Sequence, residues 1–557
     1  MIKAQIKKHI DECFRAGVAR DWWPGDAFDY TVEEPKYEGQ GDFSTNAAMV
    51  IAGQIKRNTG AKVGPRDIAE KMVSLLKEYT GMFAEIEIAG PGFINFFLKD
   101  SIWPGVIPEV VKAGDNFGKA SEKNEQKVLV EFVSANPTGP LSIGHGRQAV
   151  LGDAICRLLE ARGFEVDREY YYNDGGRQMR VLGESVRARY LEELGLPVQF
   201  PEEGYQGEYI RDIARLLRER RGDSLKDCQD LAPFVEVAEK EIFADIDGTL
   251  KRLGIFFDTY YNERSLYEKG LVDDVVATLR EKELVYDQDG AVWFKSTAFG
   301  QEKDRVIIKS TGEPTYRLPD IAYHREKFKR GYDRLIDIFG ADHIATVPDV
   351  LAGVKALGYD DSLVTVVLHQ FVTLMREGRK VKMSTRKANF ITVDEILDEV
   401  GVDVLRFFFL MRKADSQLEF DLDLATKEGQ ENPVYYVQYG YARIRSIKRK
   451  AGEEGVAAGD IASTPLDRLN CPEEQKILKM LAAYPTLIRE AADDLAPHRI
   501  VFYLQELAGA FHSYYNKHRI VSEDLELTRA RLWLIEALGI VLGNGLTLLG
   551  MSAPESM

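Results

Sequence analysis

The chain is short of cysteine, of long apolar runs and of positive charge. Only four cysteines occur in 557 residues, Cys13, Cys156, Cys228 and Cys471, far apart and with no C-x-x-C pair. That spacing speaks against a disulfide framework and a cysteine zinc site, so reduced thiols and no structural metal are expected. No stretch approaches 18 consecutive apolar residues, and the opening MIKAQIKKHIDECFRAGVARDWWPGDAFDY alternates polar and apolar residues instead of building a signal-peptide core. A soluble cytoplasmic protein with no membrane partner is the expectation. Lys and Arg number 73 against 89 Asp and Glu, a net charge of −16. Such a surface does not bind nucleic acid non-specifically, and any nucleic-acid partner needs local basic patches. What the chain does have is length and 45% hydrophobic content, enough for packed cores in three or four structural units.

Residues 1 to about 110 read as a small α+β unit. It has an amphipathic opening helix, a second helix after Gly64-Pro65, where proline suits a first turn, and strands in IEIAGPGFINFFL. An α/β pattern then runs over about 111–424. KVLVEFV (127–133) is a strand, followed by a Gly/Pro loop, a helix ending at Gly163 and the strand FEVDREYYY, a βαβ unit of parallel type. RLIDIFGADH (334–343) and LVTVVLHQFVTLM (363–375) fit the same sheet, and the charged, helix-periodic segment of about 175–300 reads as an insertion. From about 425 to 557 the pattern is helical and suits a bundle.

Two loops carry the chemistry. NPTGPLSIGHG lies between a strand's carboxyl end and a helix's amino end, where free N–H groups and the helix dipole favour anions. Gly139, Gly144 and Gly146 would let a ligand approach the backbone, and His145 and Arg147 could add phosphate donors; the bland alternative is a tight turn. The second loop is GRKVKMSTRKANFITVDEILDEVG (378–401). Thr392 and Glu395 have capping-box spacing, so a helix starts there and Lys380, Lys382, Arg386 and Lys387 precede it, where they could clamp a polyphosphate or form a solvated basic loop.

Together SIGH and KMSTR resemble the His-x-Gly-His and Lys-Met-Ser-Lys-Ser signatures of class I aminoacyl-tRNA synthetases. EFVSANPTGPLSIGHGR, YYYNDGGRQM, TYRLPDIAYHREKFKRGYDRLID, FGADH, VDVLRFFFLMRKADSQLEFDLDLA, NPVYYVQYGYARI and SAPESM further resemble the arginyl-tRNA synthetases of bacterial type, from residue 41 to the end. The resemblance implies a Rossmann-type catalytic domain with an N-terminal α+β domain for the tRNA elbow and a C-terminal helical anticodon-binding domain. It also implies a monomer that uses ATP with Mg²⁺, L-arginine and tRNA-Arg, and needs the tRNA present for activation. ATP would meet Gly139, Pro140, Gly144, His145, Gly340, Asp342, His343, Lys382 and Met383, with Ser142, His145, Lys382 and Ser384 as the catalytic signature positions. The arginine pocket would comprise Glu131, Ser134, Asn136, Tyr316 and Asp320. If helical, Tyr316-x-x-x-Asp320 shares one face, and Asp320 is the expected guanidinium anchor. For tRNA, the resemblance points to Phe93, Asn95 and Phe97 on one strand face, and to Tyr436, Tyr439, Arg443 and Met557.

Four positions depart from the pattern. Ser142 stands for the first signature histidine and Thr385 for the second signature lysine, Ile344-Ala345 follow FGADH where His-Gly is usual, and Ala388 follows Lys387 in place of glycine. Ser142 leaves open a second reading, a catalytically weakened synthetase-like protein that binds tRNA or arginine.

Overall fold

The computed structural model describes residues 2–557 apart from 27, 36, 38, 79–80 and 382–390. The chain forms two compact units, one of residues 118–443, 485–508 and 542–557, the other of residues 1–117, 444–484 and 509–541.

The first unit is built on a five-stranded parallel sheet of β1 (Lys127–Glu131), β2 (Glu165–Tyr172), β3 (Thr259–Asn262), β4 (Arg334–Gly340) and β5 (Val364–His369). Its spatial order is β5-β4-β1-β2-β3. Val128, Leu129 and Val130 are buried in succession, as a strand covered on both faces requires. Helix α1 (Ile143–Ala161) returns the chain from β1 to β2, and α2 (Arg317–Lys329) leads into β4. Chain order reverses beside β1, with β2 on one side and β4 on the other. The carboxyl ends of β1 and β4 therefore flank a switch-point crevice, where ligands of open α/β sheets bind.

The sequence hid two features of this sheet. The apolar run 363–375 is two strands, not one: β5 ends at His369, the Gln370 N–H donates to the Ala414 carbonyl at 2.9 Å, and Val372–Arg376 pairs with Leu418–Asp421 in another sheet. Apolar content alone cannot mark such a transfer. The edge strand β3 lies inside the charged segment 175–300, whose helices Gly176–Glu193, Glu208–Arg221 and Ala232–Arg252 dominate its pattern.

Helix α3 (Val393–Val400) opens with the capping box the sequence predicts. Thr392 Oγ1 accepts from the Glu395 N–H at 3.1 Å, and the Thr392 N–H donates to Glu395 Oε2 at 2.7 Å. Helix α4 (Val402–Leu410) follows and carries Arg406, which is fully buried. Its guanidinium donates to Asp153 of α1 and to the carbonyls of Leu253 (3.0 Å) and Leu549 (2.9 Å). Arg406→Met leaves Asp153 with Arg157 at 2.7 Å and Arg168 at 3.8 Å as cationic partners. The expected loss is at the low end of the roughly 3–5 kcal/mol that breaking a buried ion pair costs, read from a denaturant midpoint at unchanged m-value.

In the other unit, an antiparallel sheet runs in the order Val32–Glu33, Phe43–Thr45, Phe93–Leu98, Phe83–Ala89. The helices Ile2–Ala19, Ala47–Thr59 and Pro65–Leu76 accompany it; the middle one is not among the elements expected from the sequence, and the last starts on its proline as expected. Beyond residue 432 the long elements are helices, as the sequence predicts: Pro433–Glu453, α5 (Pro472–Asp493), α6 (His498–Lys517) and Leu525–Leu548, whose residues are shared between the units. Leu525–Leu548 is long and apolar enough to cross a membrane, and 67% of its most apolar window is buried inside the protein, as in a core helix.

Candidate active site

The chain leaves β1 in a strained turn. Val133 and Ser134 have φ of 67° and 44°, a left-handed conformation that is costly for a β-branched residue and is held only where the surroundings fix it. Here they do. Ser134 Oγ donates to Glu131 Oε1 at 3.0 Å and accepts from the Tyr171 N–H at 3.2 Å. Asn136 Oδ1 accepts from the Asn173 N–H at 2.9 Å, while its amide donates to Gln178 Oε1 at 3.1 Å. The turn thus fastens the ends of β1 and β2 together. Gly139 and Pro140 follow, half-buried, before the start of α1.

Ser142 is the N-cap of α1. The Ser142 backbone N–H donates to His145 Nδ1 at 3.3 Å, and Ser142 Oγ lies 3.2 Å from the same nitrogen. A backbone N–H can only donate, so Nδ1 is the acceptor and the neutral ring carries its proton on Nε2. Burial holds the imidazole neutral, with its pKa pushed down to about 4. His145 therefore offers an Nε2–H donor beside Gly144, at a helix start that favours anions. The serine that replaces a histidine orients the remaining one.

The same helix start is bridged to the far end of the second signature loop. Ser142 forms a β-bridge with Thr392, and the Val393 N–H donates to the Leu141 carbonyl at 2.9 Å. Gly146 permits this approach: a Cβ there would lie 2.8 Å from Val393 Cγ2. Lys382, Met383 and Ser384 lie outside the described residues. Arg147 is not the phosphate donor its place in the loop suggests. It is 1% exposed and donates to the carbonyls of Gln370 (2.6 Å), Lys413 (2.8 Å) and Ser416 (2.9 Å), which occupies its guanidinium with loop backbone instead of a ligand.

Across the crevice, Gly340 ends β4, and Asp342 and His343 follow it, exposed, with the His343 ring stacked on Phe339 at 5.4 Å. His369, at the end of β5, is a second buried imidazole, its pKa also pushed down to about 4 by burial and by Arg147 and His145.

The expected arginine pocket separates into a supporting layer and an open anchor. Glu131 is buried and accepts from Lys327 Nζ at 2.5 Å; Lys327 also donates to Asp337 at 2.6 Å, and Asp337 accepts from His324 at 2.9 Å. Asp320 lies one and two turns before His324 and Lys327 on α2, but its half-buried carboxylate has no hydrogen-bond partner among the described residues. Burial, with Glu131 and Glu263 nearby, pushes its pKa up to about 7 against the opposing pull of His324 and Lys327. Glu263, which follows β3 and accepts from the Tyr171 hydroxyl at 2.8 Å, is also raised, by burial first. An unpartnered carboxylate among carboxylates is relieved by taking up a proton or a cation. Tyr316 precedes α2 and is 85% exposed, so the structure does not bring its ring to Asp320.

Glu263, Lys327, Asp337 and His369 are residues of this region that the sequence patterns do not mark as a site. The spacing of Asp320, His324 and Lys327 at i, i+4 and i+7 was the available signal for one of them. Glu263 and His369 come from separate strands and had none.

The nucleic-acid candidates differ in exposure. Phe93 is 39% exposed, Phe97 half-buried, and Asn95 buried with its side-chain carbonyl accepting from the Ser44 hydroxyl at 2.7 Å. Tyr436 and Tyr439 are half-buried, Arg443 lies over the Tyr439 ring at 4.5 Å, and Met557 is 55% exposed.

Comparison with known proteins fits this geometry. The family model for the catalytic domain of class I tRNA synthetases (R) matches residues 107–408, which contain the sheet, the crevice and both loops. The models for the arginyl tRNA synthetase N terminal domain and the DALR anticodon binding domain match residues 1–98 and 437–557. An arginine–tRNA ligase of Desulfotalea psychrophila is 62% identical over 558 residues, covering 100% of each chain, and one of Syntrophotalea carbinolica is 47% identical over 560 residues, again with 100% of each covered. The arginyl-tRNA synthetase of Thermus thermophilus shares the fold, with a TM-score of 0.75 at 22% identity and 100% of each chain covered. The chain belongs to the arginyl-tRNA synthetases.

Proposed function

We propose that the chain activates L-arginine with ATP and transfers it to the 3′ end of tRNA-Arg in the cytoplasm, as a monomer, with Mg²⁺ carried in on the nucleotide. The observation that carries the reading is Asp320, an ionisable carboxylate without a partner, set among Glu131 and Glu263. It sits in the unit whose sheet ends at an anion-receptive helix start bearing His145.

A guanidinium neutralises this cluster and supplies the hydrogen bonds Asp320 lacks. With the side chain held there, the arginine carboxylate attacks the α-phosphate of ATP; a P–O bond to the carboxylate forms, the bond to the β-phosphate oxygen breaks, and pyrophosphate leaves. The work is positioning and charge stabilisation, and His145 Nε2–H is the described donor for the phosphate oxygens. The terminal adenosine hydroxyl then takes the arginyl group, losing its proton as AMP departs. Phe93 and the Tyr436, Tyr439, Arg443 and Met557 surface are proposed to meet the tRNA, and Lys382, Met383 and Ser384 the ATP phosphates.

Arginine use carries a pH signature. Asp320 must be ionised to hold a guanidinium, and its pKa in the free protein is raised to about 7. Affinity for arginine is thus complete above that pH and falls as pH drops through it, by up to about tenfold per unit. The KM for arginine between pH 8 and 6 checks this; a flat profile contradicts it. Charging of tRNA-Arg with labelled arginine, with lysine as the control, tests the function itself: arginine alone should be esterified, and esterification of lysine or of neither contradicts the proposal.

A further inference from the structure

Cys471, Glu473 and His518 bring three different metal-binding side chains together in the unit formed by residues 1–117, 444–484 and 509–541. Cys471 is the residue before α5, Glu473 lies in the first turn of that helix, and His518 follows the last residue of α6. All three are half-buried. Their ligand atoms lie within 4.8 Å of one another, with Cys471 Sγ 3.7 Å and Glu473 Oε2 3.1 Å from His518 Nε2.

We propose that these residues form a binding site for a zinc-class divalent cation that ties the start of α5 to the end of α6. The two distances to His518 Nε2 match edges of a tetrahedron around such an ion. Zn–S of about 2.3 Å and Zn–N and Zn–O of about 2.0 Å give S···N and N···O edges of roughly 3.6 and 3.3 Å. The thiol, imidazole and carboxylate suit a borderline-soft ion, and water takes the fourth position. Glu473 keeps Oε2 for the ion because Lys517 Nζ holds Oε1 at 2.7 Å. The neighbouring Glu474 is committed elsewhere: it accepts from the Cys471 N–H at 3.2 Å, the Tyr514 hydroxyl at 3.0 Å and Arg531 at 2.8 Å. It fixes the backbone of the thiol ligand in place. Binding converts the Cys471 thiol to a thiolate, releases its proton to solvent and involves no redox change. A search for paired cysteines misses such a site, since its ligands come one from each residue type and from two helices.

The test is a cobalt(II) titration of the full chain after chelator treatment, without ATP or tRNA. A saturable thiolate-to-cobalt charge-transfer band at one equivalent is expected. Cys471→Ser should abolish the band, and His518→Gln and Glu473→Gln should each weaken binding by at least roughly tenfold, the loss that even an outer-shell partner can cost. Cys228→Ser should change nothing. As a second readout, zinc should raise the thermal midpoint of the unaltered chain and not that of the ligand variants. Circular dichroism before metal addition checks that each variant folds; if Cys471→Ser does not, His518→Gln decides. Absence of the band, its survival in Cys471→Ser, or undiminished binding by folded His518→Gln overturns the proposal and leaves the three side chains as a hydrogen-bonded cluster.

Discussion

Asp320→Asn is expected to lower kcat/KM for arginine by roughly 2–5 kcal/mol, the cost of removing one partner from a desolvated charge pair, which is about thirtyfold to several-thousandfold. The same change should leave stability unchanged or higher. Asp320 has no hydrogen-bond partner among the described residues, and burial and neighbouring acids already oppose its charge. Asparagine keeps the shape and removes the repulsion from Glu131 and Glu263. A loss of arginine use at a constant or raised thermal midpoint identifies a group kept for its ligand at the expense of the free protein. Lys327→Met gives the contrast. It removes the cation bonded to both Glu131 and Asp337, two buried carboxylates, which keep only the Ser134 hydroxyl and the His324 ring, and should cost stability first. If Asp320→Asn left the KM for arginine unchanged, the anchor would have to be sought elsewhere in the pocket.

The second large effect belongs to His145. His145→Ala removes the Nε2–H donor at the helix start and should reduce kcat by about 100- to 1000-fold, the usual cost of losing one preorganised transition-state donor, with the KM for arginine little changed. Ser142 should matter less. In Ser142→Ala the backbone N–H still reaches His145 Nδ1 and keeps the tautomer, so only the hydroxyl contact is lost, about 1 kcal/mol or a fivefold change. Ser142→His restores the signature imidazole and is expected to keep or raise the rate. Measuring kcat for the three variants orders them; a Ser142→Ala enzyme as impaired as His145→Ala would mean that the serine hydroxyl itself meets the phosphates.

What the sequence made legible follows from how local each signal is. The capping box at Thr392 and Glu395 and the proline start at Pro65 are written in a few adjacent residues, and the structure has them there, whereas the strands read over 127–133 and 334–343 end earlier, at Glu131 and Gly340. The fate of Arg147 is not local. Its neighbours in NPTGPLSIGHGR suggest phosphate, but carbonyls of residues 370, 413 and 416 claim it, and those approach only once the run 363–375 has split between two sheets. Glu263 is hidden for a similar reason. It enters the pocket from β3, a short polar strand that is legible only through its partner β2. Tyr316 shows the converse: its spacing from Asp320 holds, yet its ring is 85% exposed, because sharing a helix face near an end does not ensure sharing a pocket.

With Ser142 in place of the first signature histidine, the crevice is expected still to perform activation. Arginine-dependent exchange of labelled pyrophosphate into ATP, measured with cognate tRNA present, tests it most directly. Exchange well above background that disappears in Asp320→Asn is the predicted result; no exchange, with tRNA binding intact, would contradict it.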